Sequence, residues 1–553
     1  MLVGVLIGRA GVKMGPSCVG RMKARPFLTV VLAVVVSLLA LASGAWWWVL
    51  AHSPLQLQHQ PLAMPLAARF VPRQAPFSLY LFADGRQVES YARAVAPSRQ
   101  RRQAAVAVAR LRDGAFAAAG LDYETELASW LAPETGLALL ADQPGASPKG
   151  WVLSLRSRDG DGARRFLQRF WQTRSLAGTD LQVTSYRGMG LISGRGALVG
   201  QPSVPLATAL INDDLVLIAS GRGVLEQALD VSQIDELNQA SSPAFKASLE
   251  QLGEGAALIT ARPEALARWG FAPADVTGLV ATLRPEQAGL VLDARIGLGE
   301  PMPPLAGGGD AGLLQAVHVD ADSLAVLQQP AAWPAFLQQP LQQLLARQAS
   351  AMPALVAAAA DGPLVWAQGA GGWLMGTTAQ HPDPGELQAA LQTKGLVDAQ
   401  LDLHGQPVQV WTRLQAAAVK PLPRKSKGNP KSQAASDTQL QASLEGAHTR
   451  LAAANPQAPL WWAQSLGLLE QQLERRQAPQ QRLAELEALE APRALLRLTL
   501  AQAPAQRLLQ GWQPWQLLSG LAAQPLGPAV DGLSVALEPS GEQMQLKARL
   551  HFG

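Results

Sequence analysis

Cysteine is all but missing: the 553 residues carry one, Cys18. A disulfide framework, a CxxC metal site, a haem-attachment CxxCH and a cysteine nucleophile are thereby excluded from everything downstream of it. Cys18 also lacks the setting of a lipid-modified cysteine, because Pro16 and Ser17 precede it and the apolar run follows it. Histidine is sparse too. The seven present (His52, His59, His318, His381, His404, His448 and His551) form no i,i+4 helical pair and no HxH pair. HExxH is absent, so no zinc hydrolase centre is expected. No GxSxG elbow and no Ser-x-x-Lys signature occurs, and YRGMGLISGRG (Tyr186–Gly196) lacks the Lys-Ser/Thr of a phosphate loop. RDGDG (Arg158–Gly162) offers Asp159 and Asp161, but Ala163 fills the next ligand position of a calcium loop. It reads instead as a strand-to-helix turn with an Asp cap. The sequence predicts no catalytic residue, no metal ligand and no cofactor.

Charge is scarce at 16%, and where it lies decides its meaning. Arg9, Lys13, Arg21, Lys23 and Arg25 precede residue 26 without an acidic residue among them. Lys420, Arg424, Lys425, Lys427 and Lys431 fall in one Pro/Ser/Gly-rich stretch, Ala418–Asp437, which reads as a disordered basic insert. Removing those ten cations from a formal net charge of +4 leaves −6 for the rest. The body is mildly acidic, so nucleic acid is not an expected partner; phosphate binding needs a basic folded surface.

What the chain has in quantity is apolar residues, at 48%. From Phe27 through Leu38 to Trp46, Trp47, Trp48 and Ala51, 25 residues pass without a charge. At about 1.5 Å per residue this predicts a transmembrane helix, long enough for a core of about 30 Å. The basic side precedes it, which puts the N-terminus in the cytoplasm and the body outside, with the tryptophans at the far interface. Ser43 and Ala45 allow a competing reading as a cleaved secretory signal, but the apolar run exceeds the usual signal core. Residues 52–72, proline-punctuated and uncharged until Arg69, read as a tether.

Two stretches echo each other. VTGLVATLRPEQAGLVLDARIGL (Val276–Leu298) and VDGLSVALEPSGEQMQLKARLHF (Val530–Phe552) share 8 of 23 residues at an offset of 254. In both, apolar residues alternate with small or charged ones, the pattern of a hairpin with one buried face. GVLEQALD (Gly223–Asp230) recurs as GLLEQQLE (Gly467–Glu474), and Gly150-Trp151 as Gly372-Trp373. FSLYLFAD (Phe77–Asp84) and AVHVDAD (Ala316–Asp322) read as strands closed by Asp, which also places His318 in a strand. The basic insert accounts for the growth in offset between markers. These echoes predict an α+β fold with an internal duplication: two similar tandem domains of antiparallel sheet plus helices, 73–300 and 312–553, joined by a Pro/Gly linker at 301–311. Trp461, Trp462, Trp512 and Trp515 read as core. Arg101, Arg102, Arg110 and Arg112 read as a solvated helix face.

The phrase GLDYETELASWLAPETGLAL (Gly120–Leu139) resembles a recurring phrase of a bacterial family common in cyanobacteria, catalogued as domain of unknown function 3352. Gly120, Asp122, Glu124, Glu126 and the Trp130-Leu131 pair carry the resemblance. It implies a membrane-anchored α+β protein and brings no activity. Asp122 suits a helix N-terminus, and Trp130 should anchor that helix to the sheet. Together these features point to a single-pass protein of the cell or thylakoid membrane, with a periplasmic or lumenal body. Its expected role is a non-enzymatic binding or scaffold module for another membrane or envelope protein, or for a lipid-like ligand. An envelope or thylakoid enzyme or assembly factor is the alternative.

Overall fold

A computed structural model describes residues 53–553 apart from 144, 176–180, 197–203, 270–274, 303–310, 347–349, 379–383, 419–437, 451–457 and 476–478. The chain makes two compact units, Met1–Gln56 and Leu57–Gly553; of the first only residues 53–56 are described.

Among the described residues of the second unit, interspersed with helices, there are twenty strands. In the first half they are β1 Phe77–Leu81, β2 Leu131–Leu140, β3 Gly150–Ser157, β4 Gln182–Tyr186, β5 Met189–Gly196, β6 Val204–Ile211, β7 Leu215–Ala219, β8 Ala257–Ala261, β9 Val276–Glu286 and β10 Gly289–Leu298. In the second they are β11 Ser323–Gln328, β12 Pro363–Gly369, β13 Gly372–Thr377, β14 Leu396–Leu403, β15 Gln406–Ala418, β16 Thr438–Arg450, β17 Leu460–Ala463, β18 Leu496–Ala501, β19 Val530–Ser540 and β20 Gln543–Phe552. Every pairing is antiparallel. The first half runs β4-β5-β6-β7-β3-β2-β1-β8-β9-β10 across the sheet. The second repeats that order as β14-β15-β16-β17-β13-β12-β11-β18-β19-β20.

The expectation of two separate tandem domains is overturned at this point. β10 pairs with β20 from Gly289↔His551 to Gly297↔Gln543, so one sheet runs unbroken through both halves. At the midpoint Asp293 faces Lys547, the position 254 residues further on. The two similar hairpins therefore meet about a local twofold, each supplying the partner for the other's outer strand. A final strand left as an open edge would expose a row of unpaired N–H and C=O groups, and this pairing removes both edges at once.

Other expectations also need correction. The predicted transmembrane helix at 27–51, with Phe27, Leu38 and Trp46–Trp48, lies outside the described residues. No described helix is long and apolar enough to cross a membrane. AVHVDAD is not a strand; Asp322 precedes β11 rather than closing it, and His318 lies outside any strand. The period-2 pattern there was too short to separate a strand from an irregular apolar run. The linker falls mostly outside the described residues, and its end opens a short helix, Ala311–Gln315.

Each face of the sheet carries its own core. Cross-strand partners share a face, so Leu258 opposite Thr282 places the polar side of β9 over the first-half core. That core gathers Tyr80, Leu217 and Leu225 under the helices Arg222–Ser232 and Pro243–Leu252. On the other face Trp333, Trp366, Trp373, Trp411 and Trp462 join Met352 and Met544 in one cluster. Each buried indole removes about 200 Å² from water, an upper bound on the order of 5 kcal/mol. At the seam, Leu290, Leu292, Ala294, Ile296, Met544, Leu546, Ala548 and Leu550 alternate with Val291, Asp293, Arg295, Gln545, Lys547 and Arg549.

Candidate functional site

Beside the seam, on the polar face of the sheet, lies a cleft of about 220 Å³. Leu252, Gly253 and Glu254 form its rim, and Thr282, Arg284, Val291 and Asp293 its floor. The rim exists because the helix Pro243–Leu252 stops at Gly253, whose φ of 68° a side chain would resist. Gly255 then passes so close that a Cβ there would sit 2.9 Å from the Thr282 Cβ.

Alternation puts these floor side chains on one face, and the charges among them are already matched. Arg284 lies 3.7 Å from Glu254 and donates to Glu286 at 3.4 Å. Arg549, from the second half, donates to the other oxygen of Glu286 at 2.8 Å. His59 Nδ1 lies 3.6 Å from Glu254. Asp293 accepts from Gln545 Nε2 at 3.0 Å and 3.3 Å, again across the seam. The Thr282 hydroxyl, itself buried, is spent on the Asp293 carbonyl. The cleft thus presents a preorganised set of charges without a nucleophile–base pair among its lining residues. No group of three or more His, Cys, Asp or Glu side chains among the described residues could hold a metal ion.

The family phrase folds elsewhere. Gly120 takes φ 76° and offers its carbonyl to Arg174 at 2.7 Å. Asp122 caps a single turn of π-helix, Tyr123–Leu127, accepting from the Thr125 N–H at 2.8 Å and its hydroxyl at 2.7 Å. Those two bonds hold the Asp122 carboxyl below the usual range. Glu126 reaches back to the Asp122 N–H at 3.0 Å, closing a capping box displaced by one residue. Trp130, almost fully buried, donates to the Glu126 carbonyl at 2.7 Å and packs on Phe166 at 5.0 Å. Its anchor is therefore the helix Gly160–Ser175 as much as the sheet. Replacing Asp122 with Ala should cost about 1 kcal/mol in urea unfolding, the usual value of a side-chain N-cap; an unchanged midpoint would remove the capping role.

Arg112 was expected on a solvated face, and the structure buries it. Its guanidinium lies 4.0 Å over the Tyr123 ring and pairs with Asp113 at 2.8 Å and Glu124 at 3.0 Å. Tyr123 donates to Asp84 at 3.0 Å; burial, then the Asp84 charge, pushes its phenol up to about 12. The acidic phrase residues thus meet a helix 12 positions upstream, a separation that no periodicity argument covers. RDGDG forms the expected turn, with the Asp161 N–H on Asp159 at 3.1 Å. His52 and His381 lie outside the described residues. His404 pairs with Glu470 at 2.7 Å, and Gln472 accepts the backbone N–H of His318 at 2.8 Å. The seam cleft was not anticipated from the sequence. A signal for the seam was present in the two echoing hairpins, whose matched alternation lets each outer strand pair with the other about a twofold.

No curated protein matches the chain. Among solved structures, crystal form I of TP0453 is similar at a TM-score of 0.27 and 10% identity, over 43% of this chain and 81% of that one. Crystal form III of TP0453 gives 0.27 and 10%, over 47% and 90%. Scores this low carry no argument about the fold. The family described as "Protein of unknown function (DUF3352)" matches residues 31–552, and the chain belongs to that family.

Proposed function

We propose that the protein is a non-enzymatic binding module, attached to a membrane through its N-terminal apolar stretch and working outside the cytoplasm. The seam cleft carries this reading. Its floor is the hydrogen-bonded hairpin β9–β10, itself paired to β20 of the other half. It is polar and small, with Arg284, Glu254 and Asp293 held in place by partners from both halves. A preorganised mixed-charge surface of this kind suits a loop or side chain of a membrane or envelope protein better than an acyl chain. That favours a protein partner over the lipid-like ligand that an apolar cleft between separate domains would have taken.

A photo-crosslinking side chain placed at Val291, on the cleft floor, tests the reading in native membranes. One discrete protein adduct is expected, lost when Arg284 is replaced by Glu. Adducts with lipid alone, or a protein adduct indifferent to Arg284→Glu, would overturn it.

A further inference from the structure

A charge-poor stretch of the body begins just beyond the seam. From Leu498 to Val530 the chain carries a single charge, Arg507, where 16% charged residues would give about five in 33 positions. This segment forms the helices Gln502–Gln510 and Gln513–Leu521. Their inner side is core: Leu509 and Trp515 are buried with Leu533 and Leu550 of the seam hairpin. Their outer side is not closed off, with Leu508 52% and Leu517 64% exposed. Between them lie Trp512 and glutamines, not the lysines and glutamates of a solvated helix.

Two neighbours say what this side meets. The helix Arg101–Ala118 packs against Gln513–Leu521, with Arg110 donating to Gln524 at 2.9 Å. Arg101 and Arg102 stand exposed at its start, while its acidic residue, Asp113, is neutralised by Arg112. Arg110 therefore borders the uncharged segment, and Arg101 and Arg102 lie exposed about two to three turns up the same helix.

The second neighbour is the start of the body itself. Gln58 donates to the Tyr91 hydroxyl at 2.8 Å, and that hydroxyl donates to the Gln287 carbonyl at 2.9 Å. The next carbonyl, of Ala288, accepts from Phe552 N at 2.9 Å, and Gly553 N donates to Ala529 O at 3.2 Å. The first residues of the body and the uncharged segment thus share one end of the sheet. The apolar stretch that ends at Ala51 stands six residues before Leu57, at most about 20 Å of chain.

We propose that the helix pair Gln502–Leu521 rests on an anionic membrane surface, with Leu508 and Leu517 in the interface and Arg101, Arg102 and Arg110 at the headgroups. The inference rests on the membrane attachment proposed above and adds an orientation of the body to it. Apolar insertion combined with basic residues is how a helix lies in an interface, and the cations make the contact lipid-selective.

The test uses the full chain with Cys18→Ser and one new cysteine, Leu517→Cys, carrying an environment-sensitive fluorophore. Val183→Cys is the control; Val183 is 76% exposed on β4, eleven strands from β19, a path of about 50 Å along the sheet at usual strand spacing. Vesicles contain phosphatidylserine and a spin-labelled lipid. At position 517 the lipid quencher should reduce emission at least about twofold, with little change at 183. The double variant Arg101→Glu/Arg102→Glu should weaken that quenching, as should vesicles of phosphatidylcholine alone. Quenching of 517 by aqueous iodide but not by the lipid label would overturn the contact and leave the attachment standing. A chain that fails to float with vesicles at all would remove the attachment, and the contact with it.

Discussion

Taking the protein from pH 6.5 to pH 4 should cost the folded state about 3 kcal/mol through one side chain, His448. The ring is buried between indoles: it stacks on Trp462 at 4.1 Å, and its Nδ1 accepts the Trp411 indole N–H at 3.1 Å. Only a neutral imidazole can accept that bond. Burial lowers its pKa to about 4, and the Asp398 charge offsets this only in part. The sign follows from proton counting. Between 4 and the unfolded value near 6.5, the unfolded chain binds a proton that the folded one refuses, so stability falls as pH falls. The contribution is whole above 6.5 and gone once the pH has dropped through 4. His551 and His318 are shifted the same way by burial, and carboxylates add their own acid sensitivity. The measurement is therefore a difference: urea unfolding of the native chain and of His448→Phe at pH 7, 5.5 and 4.5. Phe keeps the stacked shape and cannot titrate, so the variant should close on the native chain, then overtake it, as pH falls. Parallel curves would show that His448 is protonated in the folded state, against its burial.

The same residue shows what periodicity could and could not read. Alternation marked the closing hairpin of the second half, and the packing default for tryptophan made Trp461 and Trp462 core, which their full burial bears out. It gave no hint that His448 would lie between Trp411 and Trp462, because those three come from different strands with a bulge at Trp411/Thr412. The family was legible in Gly120–Leu139, a local phrase of caps and turns that needs no long-range contact. The seam was half legible. The alternation of Val276–Leu298 and of Val530–Phe552 fixed which side of each hairpin is apolar. It carried no information on what lies beside the outer strands, since register between strands distant in sequence is set in three dimensions. Reading the two echoes as closing hairpins of separate domains followed from treating each half as complete. The cleft at Glu254, Arg284 and Asp293 was lost with it, because Gln545 holds Asp293, and Arg549 holds Arg284's partner Glu286, from the other half.

Gly114 turns that continuity between the halves into a measurable sign. It sits in the interior of the helix Arg101–Ala118, where a glycine ordinarily costs about 1 kcal/mol relative to alanine. On local grounds Gly114→Ala should stabilise the protein. The structure predicts the reverse. A Cβ at this position would overlap the carbonyl oxygen of Leu521 and lie 2.7 Å from its carbonyl carbon. Leu521 ends a helix of the second half, so the contact is backbone against backbone and no rotamer change can relieve it. Either the two helices part, losing the Arg110–Gln524 bond and uncovering Leu521, or one of them bends. Overpacking of this kind costs about 1–3 kcal/mol beyond the propensity gain it cancels. Gly223 supplies the control. It too is helical, in Arg222–Ser232, and a Cβ there meets nothing within 4 Å. Gly223→Ala should stabilise by up to about 1 kcal/mol. Urea unfolding of the two variants should therefore move in opposite directions, and hydrogen exchange should rise in Gln513–Leu521 for the first alone. Were the halves separate bodies joined by a linker, both substitutions would stabilise, and exchange in the second half would not register a methyl group added to the first.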